Sequence, residues 1–134
     1  MEGASLSILS RIESQIFHAA SRVWTNEKTA NKIALNALEI TNRTYRRNLS
    51  FFNAKTSKSL ISGLFYLLGY RHEAVKTQKE VAKKLGTTEV TVRASYRKWL
   101  TEFPELFLDI IGKFAEDDSL RFFVLLQMKQ KTHE

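Results

Sequence analysis

The 134-residue chain has no cysteine, a single proline and five glycines. Without cysteine there is no disulfide framework and no thiolate metal site, which excludes a cysteine zinc finger and points to a reducing, intracellular setting. So few glycines and prolines leave little room to turn, and apolar residues recur at three and four rather than at two, which argues against strands. No apolar run approaches the roughly 20 residues that span a bilayer. The opening MEGASLSILSRIESQ lacks the basic patch and unbroken apolar block of a signal peptide, so neither membrane nor secretion is expected. Catalytic signals are also scarce. His18, His72 and His133 lie far apart without ligand spacing, and there is no glycine-rich phosphate loop. His18 lies on or near an apolar face and reads as a core or boundary residue. Asp117 and Asp118 suit a helix cap, and adjacent carboxylates do not converge on one site. No enzyme activity, cofactor, metal or small-molecule substrate is expected.

What the chain does have is a core and a lopsided charge. At 43% apolar residues it can bury one domain. Its net charge of +7 is concentrated: Arg43 to Leu100 carries 13 Lys and Arg against 3 acids, and the remainder 8 against 11. A basic middle between near-neutral or acidic ends fits a polyanion-binding face, since phosphate neutralisation needs clustered cations. A lysine-rich solvated surface is the plainer alternative.

The apolar spacing predicts an all-α chain. Leu9, Ile12, Ile16, Ala20 and Val23 line a first helix over about 5–23, broadened by Phe17 and Trp24. Thr25 or Asn26 can cap a second, striped by Ala30, Ile33, Ala34, Ala37, Leu38, Thr41 and Tyr45 and ending in the basic RTYRR; those arginines suit the helix C-terminus or a phosphate. A third begins near Thr56 or Ser57 and is apolar through LISGLFYLLGY, a central rod in which Gly63 permits a neighbouring helix to come close. After Pro104, ELFLDIIGKF and LRFFVLLQMK predict a helical C-terminal extension packed on the domain, the last run being a helix or a strand.

The informative stretch is KTQKEVAKKLGTTEVTVRASYRKWL, residues 76–100. Thr77 and Glu80 have capping-box spacing, so a helix starts there; Val81, Ala82 and Leu85 face inward, and Gly86 fits the left-handed position that ends it. A second helix capped by Thr88 follows a three-residue turn, which is helix-turn-helix spacing, with Thr87 standing where an apolar residue is usual. In that helix Val92, Tyr96 and Trp99 share one face and Val90, Arg93 and Arg97 another. Val92 and Trp99 belong to the core; Tyr96 reads as core with its hydroxyl at the edge, base stacking being the alternative. An outward valine near a helix N-terminus has little structural purpose but can meet a thymine methyl, and Arg93 one turn on can fork to guanine O6 and N7. Lys79, Lys83, Lys84, Arg97 and Lys98, with Thr88 and Thr91, would serve the DNA backbone. Such corners also occur as pure packing.

At these residues the chain resembles the second cyclin-like repeat of the transcription factor IIB family, including archaeal transcription factor B. TQKE, TEVTVR and SYR carry the likeness, with SLISGLFYLLG before them and FPELF after. It is clear over 57–100 and extends over 6–100. The resemblance implies a five-helix cyclin-like domain over 1–103, with the helix-turn-helix, its fourth and fifth helices, at 77–100, and an extension over 104–134. In that family a valine and an arginine of this motif read a promoter element; here they fall on Val90 and Arg93. The implied partner is double-stranded DNA, with TATA-binding protein or another transcription protein, and a second copy of the chain, as further ones. Family members carry a cysteine-rich zinc ribbon and two repeats. This chain has no cysteine and room for one repeat, so polymerase recruitment through a ribbon is not expected. A cyclin-like module that binds a protein partner without reading DNA is the competing expectation.

Overall fold

Asn26, Thr56, Thr77 and Thr88 all stand in extended backbone, and each accepts, on a side-chain oxygen, the amide of the residue three further on. These caps satisfy a first-turn donor that the helix itself leaves unpaired, and so set where four of the helices begin. The computed structural model describes residues 2–53 and 55–114, and the side chains of 9–53 and 55–113. Its elements are α1 (Glu2–Val23), α2 (Glu27–Thr44), α3 (Leu49–Asn53), α4 (Ser57–Arg71), α5 (Gln78–Leu85) and α6 (Glu89–Glu102), then two 3₁₀ turns, Pro104–Leu106 and Ile111–Phe114. The described chain is all-helical, as expected of a cyclin-like domain. None of these helices is long and apolar enough to cross a membrane.

The organising element is α4, in which every residue from Leu60 to Gly69 is buried. A helix apolar all round has to be covered on all sides, and α1, α2, α5 and α6 pack against it. Its tightest neighbour is α6. A Cβ on Gly63 would stand 2.5 Å from the Tyr96 amide nitrogen, so glycine is what allows the two backbones to approach. Two indoles then tie elements together: Trp99 donates to the Leu60 carbonyl at 3.0 Å, and Trp24 donates to the Ala74 carbonyl at 2.8 Å. Buried indole N–H groups need such partners. Phe51, Phe52, Phe103 and Phe107 surround Trp99 edge-on or tilted, which suits the ring quadrupoles.

Several details differ from the sequence expectation. The short α3 adds a sixth helix; Asn48 caps it, accepting the Phe51 amide at 3.1 Å and donating to Glu102 at 3.0 Å. Phe17, expected to broaden the apolar face of α1, is exposed, and so is His18. At the end of α2, Arg47 pairs with Glu105 and stacks over Phe103, while Arg43 lies 3.7 Å from Glu39. Past Pro104 the chain makes 3₁₀ turns rather than an α-helix, with Phe107, Ile110 and Ile111 buried. LRFFVLLQMK, the Asp117 and Asp118 cap and His133 lie outside the described residues.

Arg71 pins the 3₁₀ turns that follow Pro104. Its guanidinium grips Asp109 with two bonds of 2.8 Å, donates to the Leu106 carbonyl and to Asn36, and covers the Phe107 ring. The hydrogen bond from Arg71 holds the Asp109 carboxyl below the usual carboxylate range. A carboxylate depressed in the folded state adds stability above its unfolded pKa of roughly 3.9, and that contribution is lost as pH falls through the folded value. Asp109→Asn is therefore expected to lower stability at pH 7 by about 1 kcal/mol, the upper end for a half-exposed pair. Urea unfolding at pH 7 and at about pH 2.5 checks this: the gap between wild type and variant should narrow at the lower pH.

Candidate nucleic-acid interface

The turn between α5 and α6 is built from local contacts. Glu80 and Thr77 exchange two bonds of 3.0 Å, completing a capping box, and the Thr77 amide and hydroxyl hold the Glu80 carboxyl below its ordinary range. Val81, Ala82 and Leu85 turn inward, and α5 ends on Gly86 at φ 69° and ψ 40°, a left-handed conformation that favours glycine. The Thr87 amide closes the turn onto the Ala82 carbonyl at 2.9 Å. Thr87 itself is half-buried, so the turn accommodates a hydroxyl where an apolar side chain was the commoner choice. Thr88 then accepts the Thr91 amide at 3.1 Å and donates its hydroxyl proton to the Thr91 Oγ1 at 2.9 Å.

The two faces of α6 separate cleanly. Val92, Ser95, Tyr96, Trp99 and Leu100 are buried. Tyr96 packs its ring 4.8 Å from that of Tyr66, so the base-stacking alternative for Tyr96 is excluded. On the other face Val90 is 70% exposed, more than any other large apolar side chain among the described residues, and Arg93 and Arg97 are exposed with it. Lys79, Lys83, Lys84 and Lys98 are exposed as well, as is Thr88; Thr91 is half-buried. Lys83 and Lys84 also fall in the last turn of α5, where cations complement the helix dipole. Glu89, in the first turn of α6, complements the opposite end.

One residue of this surface went unmarked in the sequence. Gln78 opens α5, and its Oε1 accepts Arg93 Nε at 3.2 Å. A guanidinium has five N–H donors in a fixed plane, so a bond at Nε orients the fork while the two terminal nitrogens point elsewhere. The signal available in the sequence was only that Gln78 follows a cap; nothing in a periodicity argument relates it to a residue fifteen positions later. No three His, Asp or Glu side chains among the described residues converge as a metal site requires. His72 sits apart from α6, bonded to Asn36 at 3.0 Å; burial, then the neighbouring Arg71, pushes its pKa down.

The chain is similar to transcription initiation factor IIB of Pyrococcus horikoshii, with 33% identity over 69 residues. The matched stretch is 52% of this chain and 22% of that protein, so the chain spans about a fifth of its relative's length. No family model and no solved structure matches.

Proposed function

We propose that the protein binds double-stranded DNA sequence-specifically, in the manner of transcription factor IIB, with α6 as recognition helix in the major groove. The observation that supports this reading most is the exposure of Val90 and Arg93 one turn apart on a helix whose opposite face is buried. An exposed β-branched side chain contributes little to folding, whereas a methyl-to-methyl contact with thymine gives it a use. Arg93, oriented by Gln78, presents its fork to guanine O6 and N7. Lys79, Lys83, Lys84, Arg97 and Lys98, with Thr88 and Thr91, hold the backbone and carry affinity rather than sequence information. The partial likeness to an initiation factor supports a role in transcription. On this reading residues 1–103 are one cyclin-like domain, its helix-turn-helix spanning 77–100, with 104–134 as an extension. TATA-binding protein and a second copy of the chain are further partners, which pull-down and light scattering address.

Selection of bound fragments from random duplex DNA tests the reading directly. Wild-type protein should enrich a short motif. Arg93→Ala should relax preference at one position and weaken the best site by about 1–3 kcal/mol, whereas Lys83→Ala should weaken all sequences alike. For Val90→Ala a smaller loss is expected, confined to sites with a thymine at the matching position. An unchanged motif with Arg93→Ala removes Arg93 as a reader, and no enrichment by wild-type protein removes the reading itself.

A further inference from the structure

Away from the reading face of α6, α1, α4 and α5 meet around a cleft of about 200 Å³. Its floor is apolar, formed by Ala19, Ile61 and Leu85, and its rim carries the cations Arg22 and Lys58 with no acid among the lining residues. Neither cation makes an ion pair or hydrogen bond among the described residues. Gln15, also on the rim, is held by the Ser57 hydroxyl at 2.8 Å, so that edge is already ordered. Arg22 has a local role, since it lies in the last turn of α1 and complements that helix's dipole. Lys58 has none: it sits in the first turn of α4, which holds no acid, where the dipole disfavours a cation. Two cations without acids beside an apolar floor ask for an occupant that is both acidic and apolar.

The cleft's size narrows the choice. It falls below the roughly 300–1,000 Å³ of small-molecule sites and suits one or two side chains of a larger partner. A phosphate backbone would use the rim cations and leave Ala19, Ile61 and Leu85 unused. We infer that this cleft docks an acidic peptide segment of a partner protein, its carboxylates beside Arg22 and Lys58 and one large apolar side chain on the floor. The inference stands apart from the DNA reading, since none of these residues belongs to the reading face. The two sites are nonetheless neighbours: Lys58 Nζ lies 3.7 Å from where a Cβ on Gly86 would stand. A peptide held here would therefore border the turn between α5 and α6.

The test uses the full chain and a short fluorescein-labelled peptide of Asp and Glu residues flanking a Leu-Phe pair, followed by anisotropy. Saturable binding is expected, weakened at least about tenfold by Arg22→Glu combined with Lys58→Glu. The pair Lys28→Glu and Lys32→Glu makes the same charge change on exposed positions of α2 and should cost no more than about twofold. Replacing Leu-Phe in the peptide by Ser-Ser should also weaken binding at least about tenfold. Circular dichroism confirms that both protein variants fold. Absence of saturable binding overturns the inference, as does equal loss in the two protein variants, or equal binding of the Ser-Ser peptide. Random-sequence duplex DNA that displaces the peptide and loses more affinity with Arg22→Glu and Lys58→Glu than with the α2 pair overturns it in favour of a phosphate site.

Discussion

Gly63→Ala is expected to destabilise the protein by about 2–3 kcal/mol, although alanine is the better helix former by about 1 kcal/mol. The sign follows from the distances. The added Cβ would meet Ser95 Oγ at 2.1 Å, Ser95 Cβ at 2.5 Å and the Tyr96 amide nitrogen at 2.5 Å. A flexible side-chain tip could move aside, but Ser95 Cβ and a helical amide move only if α6 as a whole shifts. That shift would disturb the Trp99 bond to Leu60 and the ring packing of Phe51 and Phe52 on Trp99. Against a typical total of about 5–15 kcal/mol this is a large fraction, and Gly63→Val should leave little folded protein at 37 °C. Two companions separate the clash from other causes. Ser95→Ala removes a buried hydroxyl that has no hydrogen-bond partner, and should be neutral or stabilising by about 1 kcal/mol. Ser95→Gly combined with Gly63→Ala removes two of the three clashes and should recover part of the loss. Thermal and urea unfolding of the four variants measure this; Gly63→Ala as stable as wild type would mean that α4 and α6 do not cross at this point.

Much of this arrangement is legible in the residues themselves. The caps at Thr77 and Thr88 and the left-handed Gly86 follow from local chemistry, because a side-chain oxygen three residues before an amide, or a missing Cβ, acts over a single turn. The same holds for the inward and outward faces of α6, which depend only on the helical repeat. Residues whose role depends on distant contacts are harder to see. Phe17 shares the spacing of the apolar stripe of α1 yet is exposed, since periodicity gives the angle of a side chain and not the width of its cover. The short α3 has too few residues to show a period; its sign was Asn48, whose carbonyl oxygen caps Phe51. Arg71 lies in the last turn of α4, and its grip on Asp109 and Leu106 reaches 35 or more residues along the sequence. Gln78 and Lys58 belong to the same class, since only the folded chain brings them to Arg93 and to the turn at Gly86.

Duplex binding is expected to fall steeply with salt, and this separates the DNA reading from that of a module that binds only proteins. If Lys79, Lys83, Lys84, Arg97 and Lys98 each neutralise one phosphate, the slope of log affinity against log salt is about −4.5, or roughly a 500-fold loss between 50 and 200 mM. The protein's charge makes some attraction to any polyanion certain, so weak binding at low salt alone decides nothing. What decides is the pairing of slope with sequence. Lys83→Ala should reduce the slope by about one on every duplex, because a lost phosphate contact releases one counterion fewer whatever the bases. Arg93→Ala should leave the slope nearly unchanged on an unrelated duplex while erasing the advantage of the selected site, since a base contact releases no condensed counterion. If both substitutions only lowered affinity in parallel on all duplexes, α6 would be one more patch of cations. If the selected and unrelated duplexes bound alike at 200 mM salt, the exposure of Val90 would need a protein partner to explain it.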